Sequence, residues 1–255
     1  MAHLKFDDSL NDETGNHNGT VLAAATGATP AFDVGKIGKA VLIDGYDVVV
    51  ELANPSTIDL AADFSIVAWV KTTATGERVV LFKGSPDNPW RAPNRQFNLL
   101  DGGPGPVNGP FLYAEGQGAY GTSFETTDSL VPNDGNWHQV ALTYRATGSP
   151  HVTLYLDGRG HVGSDPGAFP FFGGDVVLQP SATDSVVRIG GREPGAAGST
   201  FNGLIDEVQI YDKTLDTNQI KFLFDNPGQV VLPQVQVAGL AWISTDNHCP
   251  KPRLI

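Results

Sequence analysis

An all-β fold of two stacked antiparallel sheets is the fold class the sequence predicts, and three observations predict it. Apolar residues recur at period two in short segments, turn residues break those segments at close spacing, and helical periodicity is scarce. About a dozen strands within some 210 residues would curl or split as one open sheet, so two stacked sheets follow.

In chain order, the predicted strands are Lys39 to Ile43, Asp47 to Leu52, Phe64 to Val70, Arg78 to Lys83, Gln96 to Leu100 and Pro110 to Glu115. Trp137 to Tyr144, His151 to Leu156, Asp175 to Leu178, Ser185 to Gly190 and Leu204 to Tyr211 complete them. Asp157-Gly158 follows one strand and precedes Arg159 to Val162, which fits a tight hairpin in which glycine takes positive φ at little cost. One helix is predicted late in the chain: Asp216 caps it, Gln219 stands three residues on, and Ile220, Leu223 and Phe224 share a face. Asn226-Pro227-Gly228 stops it. After Pro227 the strand and turn rhythm is lost, so the sequence divides into a domain over 1–227 and a linker or extension over 228–255.

Composition narrows the function. The chain has 255 residues, 40% hydrophobic, with 30 Gly and 18 Pro, enough for a full core with many loops. Acidic residues outnumber basic ones 28 to 16 and no Lys/Arg run occurs, the reverse of a phosphate-neutralising surface, so nucleic acid is not an expected partner. No apolar run approaches the ~20 residues that span a bilayer, and Met1-Ala2-His3 leads into Leu4-Lys5-Phe6 without a basic-then-apolar leader, so membrane insertion is not expected. The single cysteine, Cys249, permits neither an internal disulfide nor a cysteine zinc cluster. The sequence carries no Gly-x-Ser-x-Gly turn, phosphate loop or His-Glu-x-x-His pair.

Five segments taken in order resemble one family: Asp44 to Val50, Phe64 to Lys71, Asn136 to Tyr144, Val152 to Gly158, and Phe201 to Tyr211 with Leu215 and the helix beyond. Their order and spacing are similar to laminin-G-like, concanavalin A-like jelly rolls over about residues 4 to 225. The resemblance implies a two-sheet jelly roll, a module often appended to secreted carbohydrate-active enzymes, sialidases or adhesins. It therefore implies an exported or cell-surface, monomeric part of a larger protein. It also places Trp69 and Trp137 in core strands.

The resemblance further implies a structural calcium that ties the first strand to the last. The matching positions are Asp7, Asp206 and, for a backbone carbonyl, Gly45; oxygen donors of this kind suit a hard cation. The alternatives are that Asp206 and Glu207 pair with Arg or Lys, or that Asp7 and Asp8 begin a turn. The spacing of Asp12, Asn16 and Asn18 does not make an EF-hand loop.

Sugars present apolar C–H faces and hydroxyl rims, so a glycan site needs exposed aromatic rings beside planar hydrogen-bonding groups. The insertion around Trp90 supplies that ring together with Asn94, Arg95 and Gln96, while Tyr113 and Tyr120 flank the glycine-rich stretch Gly116 to Gly121. The competing reading is that these rings cover the sandwich edge. A glycosidase on this fold needs two carboxylates about 5–9 Å apart. The Glu-x-Asp-x-x-Glu strand of laminarinase-like jelly rolls is absent, leaving Glu115 and Glu125 as the candidate pair. A lyase would draw on Tyr113, His138, His151 and Arg95.

The sequence thus points to a non-catalytic carbohydrate-binding module that takes polysaccharide on its concave sheet and aromatic loops, with no catalytic residues assigned. A polysaccharide hydrolase or lyase on the same fold is the first alternative, and a protein-binding adhesion module, pairing through strand edges or the Val230 to Val237 alternation, is the second.

Overall fold

The computed structural model describes residues 1–23, 29–58, 62–74, 78–85, 95–101, 112–115, 123–125, 133–148, 151–161, 185–195 and 200–232. Two antiparallel sheets contain all the described strands. The first runs, in spatial order, β13 (Arg159–His161), β12 (Val152–Leu156), β11 (His138–Tyr144), β6 (Phe64–Lys71), β15 (Asn202–Tyr211), β4 (Lys39–Asp44) and β3 (Ala31–Val34), with β1 (Ala2–Leu4) also paired to β15. The second runs β10 (Ser123–Glu125), β9 (Leu112–Glu115), β8 (Arg95–Asp101), β7 (Arg78–Gly84), β14 (Val186–Ile189), β5 (Val48–Leu52) and β2 (Gly19–Ala23). The expected strand at Asp175 to Leu178 lies outside the described residues.

The main core fills the space between the sheets. Ile66, Ala68 and Val70 of β6 and Val140 and Leu142 of β11 face Val50 and Leu52 of β5 and Val187 and Ile189 of β14. Period two puts the intervening residues on the opposite face, which in most sandwiches meets water. Here that face of the first sheet is covered by α1 (Thr217–Asp225), so Val67, Ala141, Tyr155 and Tyr211 form a second apolar layer with Leu215, Ile220 and Leu223. Burial on both faces explains why β6 reads as a continuous apolar run. Trp69 is buried as expected, but beneath the helix, its ring stacked on Phe224 at 5.6 Å with Lys36 Nζ 4.1 Å from its centroid. Trp137 corrects the expectation made for it: it precedes β11 and is only half-buried.

The predicted helix start holds in detail. Asp216 accepts a hydrogen bond from Gln219 N while the Gln219 side chain accepts one from Asp216 N, the reciprocal capping box that satisfies two end donors. At the other end of the chain, buried Asp12 accepts from the main-chain N–H groups of His3, Thr14 and His17 at 2.8, 3.1 and 3.0 Å. Burial alone would raise its pKa, yet these bonds bring it down to about 2.

Candidate functional site

The three positions assigned to calcium separate into two places. Asp206 lies on β15, buried, where Oδ2 accepts from Lys36 N at 2.8 Å and Ile37 N at 3.1 Å and Oδ1 accepts from Glu207 N at 2.8 Å. Exposed Asp7 accepts from Lys39 N at 2.7 Å, so both carboxylates seat the turn between β3 and β4, where Gly35 N donates to Gly38 O at 3.1 Å. Gly45 follows the far end of β4, against Asn202, about 20 Å away at the usual strand rise. The trio does not surround one point, and the two carboxylates serve main-chain donors. As one set, these residues do not fit a cation, and among the described residues no group of three or more His, Cys, Asp or Glu side chains is placed to hold one. Burial, then the neighbouring Glu207 charge, pushes the Asp206 carboxyl up to about 7 against the pull of its hydrogen bonds.

Beside Asp206 the strand bulges, and Glu207 takes φ 48°, a left-handed conformation that is unfavourable for a side chain of its size. The bulge turns Glu207 inward, where Oε2 lies 2.6 Å from His3 Nε2 in a buried pair. Gln209 Nε2 lies 3.5 Å from the same His3 atom and donates to Gln229 O at 2.8 Å; Tyr211 OH donates to Gln209 Oε1 at 2.5 Å and accepts from Val231 N at 3.1 Å. Residues 229 and 231, which the sequence places in a linker, are therefore seated on β15.

Three of the six glycan candidates are not among the residues described. Trp90, Asn94 and Tyr120 lie outside them. Arg95 and Gln96 open β8, with Arg95 opposite Gly84 and Gln96 at a register shift. Tyr113 of β9 stands opposite Leu100, about 15–20 Å further along β8 than Arg95. Glu115 pairs with Ser123, and Glu125 pairs with Tyr113, so the two glutamates occupy positions offset by two residues on adjacent strands.

Over β5, β14 and β7 the outer face of the second sheet is buried. Val49, Val79 and Phe82, which point away from the main core, are fully buried, and Thr200 bridges to Val79. Arg188 donates from Nε to Glu51 Oε2 at 2.9 Å and from Nη1 to Arg192 O, bracing the segment that follows β14.

At the end of the sandwich where β4 passes to β5, Tyr46 is 50% exposed. Asp44 Oδ1 accepts from the N–H groups of Tyr46, Asp47 and Val48 at 3.0, 2.7 and 3.2 Å, and Gly195 N donates to Tyr46 O at 2.7 Å, so the ring stands on a fixed turn beside exposed Asp44 and Asn202. Sequence reasoning missed this ring; its signal was the run of turn residues Asp44-Gly45-Tyr46-Asp47. His138 is not placed as a base. Its Nδ1 lies 2.8 Å from Asp157 Oδ2 and its Nε2 3.1 Å from Asp134 Oδ1.

No curated protein matches the sequence. Among solved structures the chain is similar to domain 4 of AbnA, an extracellular GH43 arabinanase from Geobacillus stearothermophilus solved with arabinotriose, at 26% identity and TM-score 0.58, over 87% of this chain and 96% of that one. It shares its fold with the binding domain of Paraclostridial Mosquitocidal Protein 1 and with that of Botulinum neurotoxin DC in complex with rat synaptotagmin II, each at 13% identity and TM-score 0.60. It covers 88% of itself in both comparisons and about half of each toxin chain, 51% and 50%. The laminin-G-like family model matches residues 44–221. With two antiparallel sheets, one C-terminal helix and that match over most of its length, the chain belongs to the concanavalin A-like lectin/glucanase superfamily.

Proposed function

We propose that this protein is a non-catalytic carbohydrate-binding module of an exported protein, binding polysaccharide through the loops that edge its second sheet. The observation that carries this reading is the likeness to an arabinanase domain solved with arabinotriose, spanning 96% of that domain. Trp90 and Tyr113, with Asn94, Arg95, Gln96 and Tyr120, supply the ring and hydrogen-bonding types a sugar needs. Tyr46 adds an exposed ring whose fixed turn lowers the ordering cost of binding.

The test is affinity electrophoresis against arabinan, xylan, β-glucan and pectin, with calorimetry against arabinotriose and product analysis of the same mixtures. Retardation by at least one polysaccharide without new reducing ends is the expected result. No retardation by any of them, or new products, overturns the reading. Repeating the gels with chelator reads out calcium dependence.

A second reading, polysaccharide hydrolysis, draws support from the register of Glu115 and Glu125. Diagonal positions on adjacent strands lie about 7–8 Å apart, within the range of a carboxylate pair. New reducing ends that vanish in Glu115→Gln and Glu125→Gln would establish it.

A further inference from the structure

We propose that His138 is a proton-operated latch tying the loop that leads into β11 to the turn between β12 and β13. A neutral imidazole has one N–H donor and one lone pair; only the imidazolium has two donors. Here both ring nitrogens face carboxylate oxygens, Asp157 Oδ2 at 2.8 Å and Asp134 Oδ1 at 3.1 Å. An ionised carboxylate is an acceptor only, so both contacts are made at once only when the ring carries its second proton.

The two partners are held differently. Asp157 is locked to β11 whatever the ring does: Gln139 N donates to its Oδ1 at 3.0 Å, and its own N–H donates to Gln139 O at 2.9 Å. Asp134 otherwise bonds within its own loop, to Asn136 N and Nδ2, each at 2.8 Å. The surviving N–H of a neutral ring therefore stays with Asp157, and the lone pair on Nε2 turns toward Asp134. That contact becomes repulsive and the loop at 134–136 is released, while Gly135 N to Thr72 O at 2.9 Å and Asn133 Nδ2 to Ala74 O at 3.3 Å limit how far it moves.

Among the described residues, the charged groups facing the ring are Asp134, from its own loop, and Asp157, from the β12 to β13 turn; β6, the other neighbour, sets Val70 opposite His138. The hydrogen bond to Asp157, the largest cause, and the bond to Asp134 raise the His138 pKa above its ordinary value against the effect of burial. The latch is therefore closed in mild acid and opens as pH rises. It is independent of the glycan reading and survives the failure of that reading.

The experiment is an NMR titration of the full chain from pH 5 to 9, following the His138 ring and the backbone amides of 134–136, with 153–155 as reference. The expected result is a ring midpoint above the ordinary ~6.5, with the loop amides moving at the same midpoint and the reference amides still. In Asp134→Asn, a change on an exposed loop, the ring midpoint falls and the loop amides lose that transition. A wild-type midpoint at or below 6.5, or an unchanged loop transition in Asp134→Asn, overturns the latch.

Discussion

At Asp206 two effects oppose each other: three main-chain N–H groups favour the carboxylate, and complete burial favours the neutral acid. Burial wins, and the group stands at about 7 against 3.8 for an exposed one. A folded value above the unfolded one means stability that is whole below about pH 4 and is lost as pH rises through 7. Asp206→Asn should therefore flatten the fall in melting temperature between pH 5 and pH 8, checked by thermal melts at both pH values; an unchanged slope would place the titrating group elsewhere. On the binding side, Trp90→Ala and Tyr46→Ala should each weaken polysaccharide binding by about 1–3 kcal/mol, the usual loss on truncating a central aromatic contact. Calorimetry on the best ligand from the panel decides each assignment separately, and unchanged affinity removes that ring. Asp206 was singled out from the sequence, but its raised pKa was not legible there. It depends on burial that only the packed fold supplies, which outweighs the opposing N–H groups offered by Lys36 and Ile37 from 170 and 169 residues away.

Among elements, α1 is the one whose boundaries could be read directly, because its signals are local: a capping side chain, its reciprocal glutamine and an apolar face. Asp216→Ala removes the cap and should cost about 1 kcal/mol, read as a shift of the urea midpoint without a change of slope. Ile220→Ala, which empties part of the layer between helix and sheet, should cost about 2–5 kcal/mol in the same measurement. The long central strands were equally legible from their alternation. The short ones were not: β1, β2, β3 and β10 have three to five residues each, with Gly, Thr, Asp, Ser and His among them. Their pairing comes from the neighbour strand rather than from their own pattern. The double burial of β6 also escaped the sequence, since an apolar run does not say which element covers its second face. The assignment of Gly45 beside Asp7 failed for a related reason: resemblance aligns positions along the chain, and β4 carries the two to opposite ends of the sandwich.

Taken over the whole molecule, the shifted groups bracket a range of pH. Asp12, brought down to about 2, contributes stability that is present above about pH 4 and lost as pH falls through 2. Asp206 and His138, both raised, contribute stability that is lost on the alkaline side, the first through about 7 and the second through its own folded value above 6.5. The melting temperature should therefore peak at about pH 4 and fall on both sides, which a calorimetric series from pH 2 to 9 checks; a maximum above pH 7 would contradict the signs of these three shifts. The seating of His3 and Gln229 on one side chain, Gln209, has a mechanical consequence as well. Tension applied through residues 3 and 229 meets at that glutamine on β15 and never has to cross from one sheet to the other. A pulling experiment through those two points should peel β1 and the segment at 229–231 from their shared strand while the sandwich between them bears almost no load.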